Sequence, residues 1–235
     1  MYNSIVLENY HKNLPIFFYL YDDCFISNHL RNKIIWEKHL HNIFEKYINK
    51  DSIVLEAGCH IGTHSIKLAL LAKKVILFEP LPSSFDLLKK NLKINGLNNF
   101  NLYQKGISNT NNQVFFDWVP KDNPGGSGLS NNPMGRPQWI EKFDKHIKVK
   151  LTSIDDLNLK KLDFIKLDIE GYEELAIKGA IKTIKKFKPI IVMEVYSDQN
   201  GNHSLEYAIN KFRDLIELGY TCIHIKGPDF LYIPL

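Results

Sequence analysis

The sequence predicts an α/β domain built on a doubly wound, mostly parallel sheet, preceded by an N-terminal arm. Three observations carry this. Short apolar runs at Ile53–Glu56, Lys74–Glu79, Asp163–Asp168 and Pro189–Tyr196 alternate with helical patterns, the signature of buried parallel strands and their crossover helices. Each run meets an acid near its C-terminal end: Glu56, Glu79, Asp168 and Glu194. A glycine-broken turn, Gly58 to Gly62, follows the first run and leads into a helix, a strand–loop–helix unit.

In chain order, residues 1–50 form the arm and residues 51–235 the main domain. Leu14–Tyr21 is apolar and aromatic, a candidate strand. Ile34–Tyr47 carries apolar residues at near-helical spacing, with His39 and His41 as packing or solvated histidines. Thr63–Ala72 reads as the first core helix. The turn at Pro80 and Pro82 leads to a second helix, with Ser83 as its cap and Phe85, Leu88 and Leu92 as its apolar stripe. Phe100–Gln104 is a third strand. Residues 105–150 break the rhythm: after a strand at Val114–Val119, the stretch Pro120–Pro137 is dense in proline and glycine. Such a loop is either a surface connection or a substrate lid, with Trp118 and Trp139 at its margins. Strands follow at Ile147–Ser153 and Asp163–Asp168, and helices at Glu173–Phe187 and Leu205–Leu218. Tyr220–Ile225 and Phe230–Ile233 flank Gly227–Pro228 as a closing antiparallel hairpin.

Composition narrows the function. The 235 residues are 44% hydrophobic, enough for one sizeable core, and carry a net charge of +4. That mild charge does not by itself indicate nucleic-acid binding. Cys24, Cys59 and Cys222 are scattered with no C-x-x-C pair, which argues against a disulfide scaffold or zinc cluster and for a reducing compartment. No apolar run reaches transmembrane length and no signal peptide is evident, so the expected location is cytoplasmic. A homodimer is left open.

The terminal acids carry the chemistry. In an open α/β sheet, ligands bind beyond the C-terminal ends of the strands. Glu79 lies roughly 20 residues beyond the glycine loop, where an acid can accept hydrogen bonds from ribose hydroxyls. The loop itself reads E-x-G-x-x-x-G rather than the G-x-G-x-x-G of dinucleotide enzymes. An acid there repels a pyrophosphate and suits a ligand with a cationic amine and sulfonium, namely S-adenosylmethionine.

Six segments carry a resemblance: V-L-E-A-G-C-H-I-G-T-H-S (Val54–Ser65), L-F-E-P-L-P-S-S-F (Leu77–Phe85), L-K-K-N-L-K-I-N (Leu88–Asn95), L-T-S-I-D-D-L (Leu151–Leu157), D-F-I-K-L-D-I-E-G-Y-E (Asp163–Glu173) and K-P-I-I-V-M-E-V (Lys188–Val195). They make the chain similar to the FkbM-type S-adenosylmethionine-dependent methyltransferases from about Trp36 onward. The resemblance implies a seven-stranded, Rossmann-like class I sheet ending in a reversed strand. It implies that Glu56, Gly58, Cys59, His60, Gly62 and Thr63 hold the methionine part, that Glu79 and Pro80 hold the ribose, that Ser108 borders the adenine, and that Glu37 lies near the cofactor. The family's usual loop is Asp-x-Gly-Ala-Asn; here it is Glu56-Ala57-Gly58-Cys59-His60, which keeps the charge and adds bulk at His60.

The reaction expected is methyl transfer to a hydroxyl of a sugar, glycan or other small metabolite. A hydroxyl needs its proton accepted, by a base or with the help of a metal. Asp168, which also borders the cofactor, is the first candidate base, followed by Glu194 and Glu170; His146, His203 and His224 are further candidates without a preferred geometry. Asp168 and Glu194 are also candidate joint ligands of Mg²⁺. Two alternatives are an RNA methyltransferase, favoured only by Lys178, Lys182, Lys185, Lys186 and Lys188, and a non-catalytic S-adenosylmethionine-binding protein. No nucleic-acid partner and no membrane span are expected.

Overall fold

An antiparallel hairpin, β1 (Ser4–His11) and β2 (Leu14–Tyr19), leads the chain. The computed structural model describes residues 4–12, 14–22, 24–131, 147–196 and 203–235. The free edge of β2 is not left open, a general hazard for sheet edges. Asn91 on a later helix and Asn95 at that helix's C-terminal cap hydrogen-bond its backbone: Tyr19 N–H to Asn91 Oδ1 at 2.6 Å and Phe17 N–H to Asn95 Oδ1 at 2.9 Å. Leu7, Ile16 and Phe18 pack into the same core as Val54 and Val75, so the arm is part of the main core.

Two helices follow, α1 (Phe25–Arg31) and α2 (Lys38–Tyr47). The sequence predicts one helix from Ile34; the chain instead reaches α2 through Glu37 in a left-handed conformation (φ 42°). The alternating core then runs β3 (Ile53–Ala57), α3 (Ser65–Leu71), β4 (Lys74–Phe78), α4 (Pro82–Ile94) and β5 (Phe100–Tyr103). Ser83 is not the cap of α4. Leu81 occupies that position with Pro82 in the first turn, and the Ser83 hydroxyl accepts from the Tyr21 hydroxyl at 2.8 Å.

The irregular region contains a small sheet: β6 (Gly106–Ile107), β7 (Gln113–Trp118), β8 (Gly128–Leu129) and β9 (Lys148–Thr152), in the order β6-β9-β7-β8. Of the proline- and glycine-rich loop, residues 120–131 are described and include a 3₁₀ turn at Pro124–Gly126; Trp139 and His146 lie outside the described residues. The chain continues with β10 (Phe164–Leu167), α5 (Glu173–Lys178), α6 (Ile181–Phe187), β11 (Ile190–Glu194), α7 (Leu205–Lys211), α8 (Arg213–Glu217), β12 (Tyr220–Lys226) and β13 (Asp229–Pro234). Two expected long helices are therefore split. The break between α5 and α6 falls where Gly179 presses on the Ser108 backbone, so close that a Cβ there would lie 2.2 Å from the Ser108 carbonyl oxygen. The other break is at Phe212, whose ring is buried in the core.

The main sheet has seven strands in the order β12-β13-β11-β10-β3-β4-β5, parallel except where β13 returns antiparallel to β11 and β12. This is the seven-stranded Rossmann-like sheet with a reversed C-terminal hairpin that the sequence implied. Among the described residues, no helix is long and apolar enough to cross a membrane.

Candidate active site

The C-terminal ends of β3, β4, β10 and β11 open onto one cavity of about 260 Å³. Its floor depends on Gly58. With φ at +83°, the loop after β3 passes so near β10 that a Cβ on Gly58 would lie 1.6 Å from the Asp168 carbonyl oxygen; only glycine fits. His60 then takes a left-handed conformation (φ 49°), as do Glu37 and Glu170 (φ 53°), and all three line the cavity. Backbone strain of this kind persists only where surrounding contacts impose it.

At His60 and beside Glu170, two buried glutamates impose it by clamping loop backbone. Glu79 accepts the His60 N–H at 2.7 Å and the Leu81 N–H at 2.9 Å. Glu173 accepts the Ile169 N–H at 2.8 Å and the Gly171 N–H at 3.0 Å. Burial pushes both carboxyls up to about 7, against the pull of those N–H groups. Glu173 was not singled out as a site residue in the sequence; its place five residues after Asp168 in D-I-E-G-Y-E is the signal that pointed there.

Lys166 was also missed. It sits inside β10, 2% exposed, with Nζ 2.9 Å from Asp168 Oδ2. Burial favours the neutral amine, but the charges of Asp168, Glu56 and Glu37 outweigh it and hold the ammonium firmly protonated. The signal available was a cation in the middle of an apolar strand run, D-F-I-K-L-D.

Around this cation stand the predicted acids. Asp168 is a quarter exposed. Glu170 accepts from the Tyr196 hydroxyl, and burial followed by the Asp168 charge pushes it up to about 8. Burial and the same neighbouring charge raise Glu194 well above the usual carboxylate range. Burial works to raise Glu37 too, but its 2.9 Å hydrogen bond to His64 and the Lys166 charge prevail and hold it at about 2.

The structure brings Glu37, Gly58, Cys59, His60, Thr63, Glu79, Pro80, Asp168, Glu170 and Glu194 to the cavity wall. Three expected residues are elsewhere. Glu56 accepts from Ser65 Oγ at 2.5 Å and is 1% exposed, directed under α3. Gly62 packs on Leu88, where a Cβ would come within 2.7 Å of Cδ1. Ser108 is buried behind the wall, and Lys105, Gly106 and Ile107 face the cavity there instead. Burial raises the Cys59 thiol far above its usual value, which opposes a reactive role. His203 and His224 bond the Val195 and Gly227 carbonyls and do not line the cavity. Among the described residues no group of three or more His, Cys, Asp or Glu side chains is arranged to hold a metal ion. Asp168, one half of the expected Mg²⁺ pair, already has its charge met by Lys166.

Residues 56–222 match the Methyltransferase FkbM domain family. The chain belongs to that family. This FkbM-domain protein is an S-adenosylmethionine-dependent methyltransferase, and its cavity suits that cofactor: Glu37, held at about 2, offers a carboxylate to a positive charge, and the raised carboxyls of Glu79, Glu170 and Glu194 offer oxygens to hydroxyl and amine groups. The domain is 26% identical over 202 residues to Methyltransferase sdnD of Sordaria araneosa, covering 74% of this chain and 77% of that protein. It is 39% identical over 75 residues to Uncharacterized RNA methyltransferase OB0768 of Oceanobacillus iheyensis, covering 32% of this chain but only 16% of that protein. The Methyltransferase FkbM crystal structure from Methylobacillus flagellatus aligns with TM-score 0.49 and 18% identity, over 82% of this chain and 50% of that one.

Proposed function

We propose that this methyltransferase acts on a hydroxyl of a small neutral acceptor, sugars and glycans included, with Asp168 accepting the hydroxyl proton. The observation that carries the reading is the Asp168–Lys166 pair at the cavity floor: a carboxylate kept beside a buried cation and still open to a ligand. The charge balance of the wall supports a neutral acceptor: acids stand with Lys105 and Lys166, and burial raises the carboxyls of Glu79, Glu170 and Glu194, so the wall has little net charge near neutral pH and offers a phosphodiester no surplus of cations. The same balance weighs against RNA, whatever the lysines on α6 contribute outside.

When bound, S-adenosylmethionine supplies an electrophilic methyl group. The residues fitted to hold it are Glu79 for ribose hydroxyls, the backbone of the Gly58–Thr63 loop for the methionine part, and Glu37 for its positive charge. The chain's own contribution to the chemistry is alignment and proton acceptance by Asp168 Oδ1 or Oδ2 as the hydroxyl oxygen becomes nucleophilic. The test is Asp168→Asn: methyl transfer should fall by on the order of 100-fold or more, while S-adenosylhomocysteine affinity, measured by calorimetry, is largely kept. Normal turnover in this variant overturns the role of Asp168.

A further inference from the structure

Four buried polar atoms on cavity-lining residues have no hydrogen-bond partner among the described residues: both ring nitrogens of His60, Nδ1 of His64 and Oδ1 of Asn123. His64 is already held to Glu37 through Nε2, whereas neither nitrogen of His60 is paired. Leaving such atoms unpaired costs about 1–3 kcal/mol each, so a site that keeps them open is built for a ligand's polar groups. His60 is only 8% exposed. Its ring is fixed by stacking on Tyr21, with centroids 5.7 Å apart, and its backbone by Glu79. Burial pulls the imidazole down to about 4, so near neutral pH it offers one N–H donor and one nitrogen acceptor.

The two side chains meet at the turn that covers them. A Cβ on Gly125 would lie 3.3 Å from Asn123 Oδ1, 3.6 Å from His60 Cδ2 and 3.4 Å from Ile26 Cδ1. The 3₁₀ turn is thus seated on the imidazole, with the amide beside it. Two further rings line the cavity, Phe25 and Trp36, edge to face at 5.6 Å and braced by His29. Phe25 is 55% exposed, unusual for so large an apolar side chain. Its backbone N–H is tied to the covering loop through the Asp122 carbonyl at 2.8 Å.

We propose that His60, Asn123 and the Phe25–Trp36 rim form the acceptor subsite, and that it takes an uncharged, polyhydroxylated ring, a pyranoside. The apolar face of a sugar ring suits the exposed aromatic faces, and neighbouring hydroxyls both give and accept hydrogen bonds, as the imidazole and amide require. The wall offers a phosphorylated sugar no surplus of cations. This assignment rests on the O-methyl transfer reading and narrows it to a substrate class.

The test uses the full chain loaded with S-adenosylhomocysteine and titrated with p-nitrophenyl glucoside, mannoside and rhamnoside, with p-nitrophenyl tetrahydropyranyl ether as the ring lacking hydroxyls. At least one pyranoside should bind, and the hydroxyl-free ring should bind about tenfold or more weakly than it. Asn123→Ala and His60→Phe, the latter keeping a ring on Tyr21, should each weaken pyranoside binding about tenfold, the loss expected for one buried hydrogen bond, with S-adenosylhomocysteine affinity within about twofold. If His60→Phe does not fold, Asn123→Ala decides. The proposal is overturned if no pyranoside binds, if neither variant changes pyranoside binding, or if cofactor affinity falls about tenfold instead, which would give these atoms to the cofactor. Variant-sensitive pyranoside binding without methyl transfer from labelled S-adenosylmethionine supports the subsite and overturns the transfer reading. Transfer to simple alcohols, unaffected by either variant, does the reverse.

Discussion

Lys166 holds its ammonium 2.9 Å from the Asp168 carboxylate and stands directly opposite Glu56 in the parallel register of β10 and β3. One buried cation therefore serves both a cavity acid and an acid beneath the neighbouring strand. Removing one partner of a buried pair costs about 3–5 kcal/mol, because it strands the remaining charge. Lys166→Met should lower stability in denaturant melts by roughly 3 kcal/mol at neutral pH. The deficit should shrink as pH falls and the stranded carboxylates take up protons. A variant as stable as the parent at pH 7 would contradict this account.

Gly58 is the second structural requirement of the floor. An alanine there would have its Cβ 1.6 Å from the Asp168 carbonyl oxygen and would occupy φ +83°. Backbone cannot yield as a flexible side chain does, so the loop or the end of β10 must move. Gly58→Ala should destabilise the protein by more than about 4 kcal/mol, the range reserved for such steric failures, and abolish S-adenosylhomocysteine binding. Thermal unfolding and calorimetry check both, and retained binding would refute it.

How much of this was legible in the sequence follows from what each strand buries. The core strands were readable because both faces are covered, giving uninterrupted apolar runs that end at the ligand side. The direction of Glu56 was harder. Alternation along β3 places it on the same face as Val54, which packs in the core beneath α3, and opposite Leu55 and Ala57, which pack in the other cluster. An acid at a strand end therefore need not face the cavity. Lys166 and Glu173 look like ordinary charged residues until tertiary packing buries them. The breaks at Gly179 and Phe212 arise from long-range packing that a helical periodicity does not register. The left-handed backbones at Glu37 and Glu170 have no glycine to announce them.

Glu173 gives the chain a pH signature. Its carboxyl rests at about 7 instead of its usual 4.5, mainly through burial. Between those values the folded chain binds more protons than the unfolded chain. The stability tied to Glu173 is therefore full below pH 4.5 and declines as pH rises to about 7. Subtracting the stability curve of Glu173→Gln from that of the parent isolates this contribution from other groups. The difference should fall from pH 4.5 to 7; a flat or rising difference would show that the carboxyl titrates normally.

The covering turn is held by Trp118. Its indole N–H donates to the Gly126 carbonyl at 2.8 Å, and the ring lies against Gly128, where a Cβ would come within 1.9 Å of a ring carbon. Gly128→Ala must push the indole aside, which costs about 1–3 kcal/mol as overpacking does, and breaks the support beneath the turn carrying Asn123 and Gly125. The loss should appear chiefly as a raised acceptor KM, about tenfold if one buried hydrogen bond is forfeited, with S-adenosylhomocysteine affinity little changed, because the Gly58–Thr63 loop and Glu79 keep their own clamps. Steady-state kinetics alongside calorimetry separate the two effects. Loss of cofactor affinity with an unaltered acceptor KM would mean that the turn closes over the cofactor and not over the acceptor.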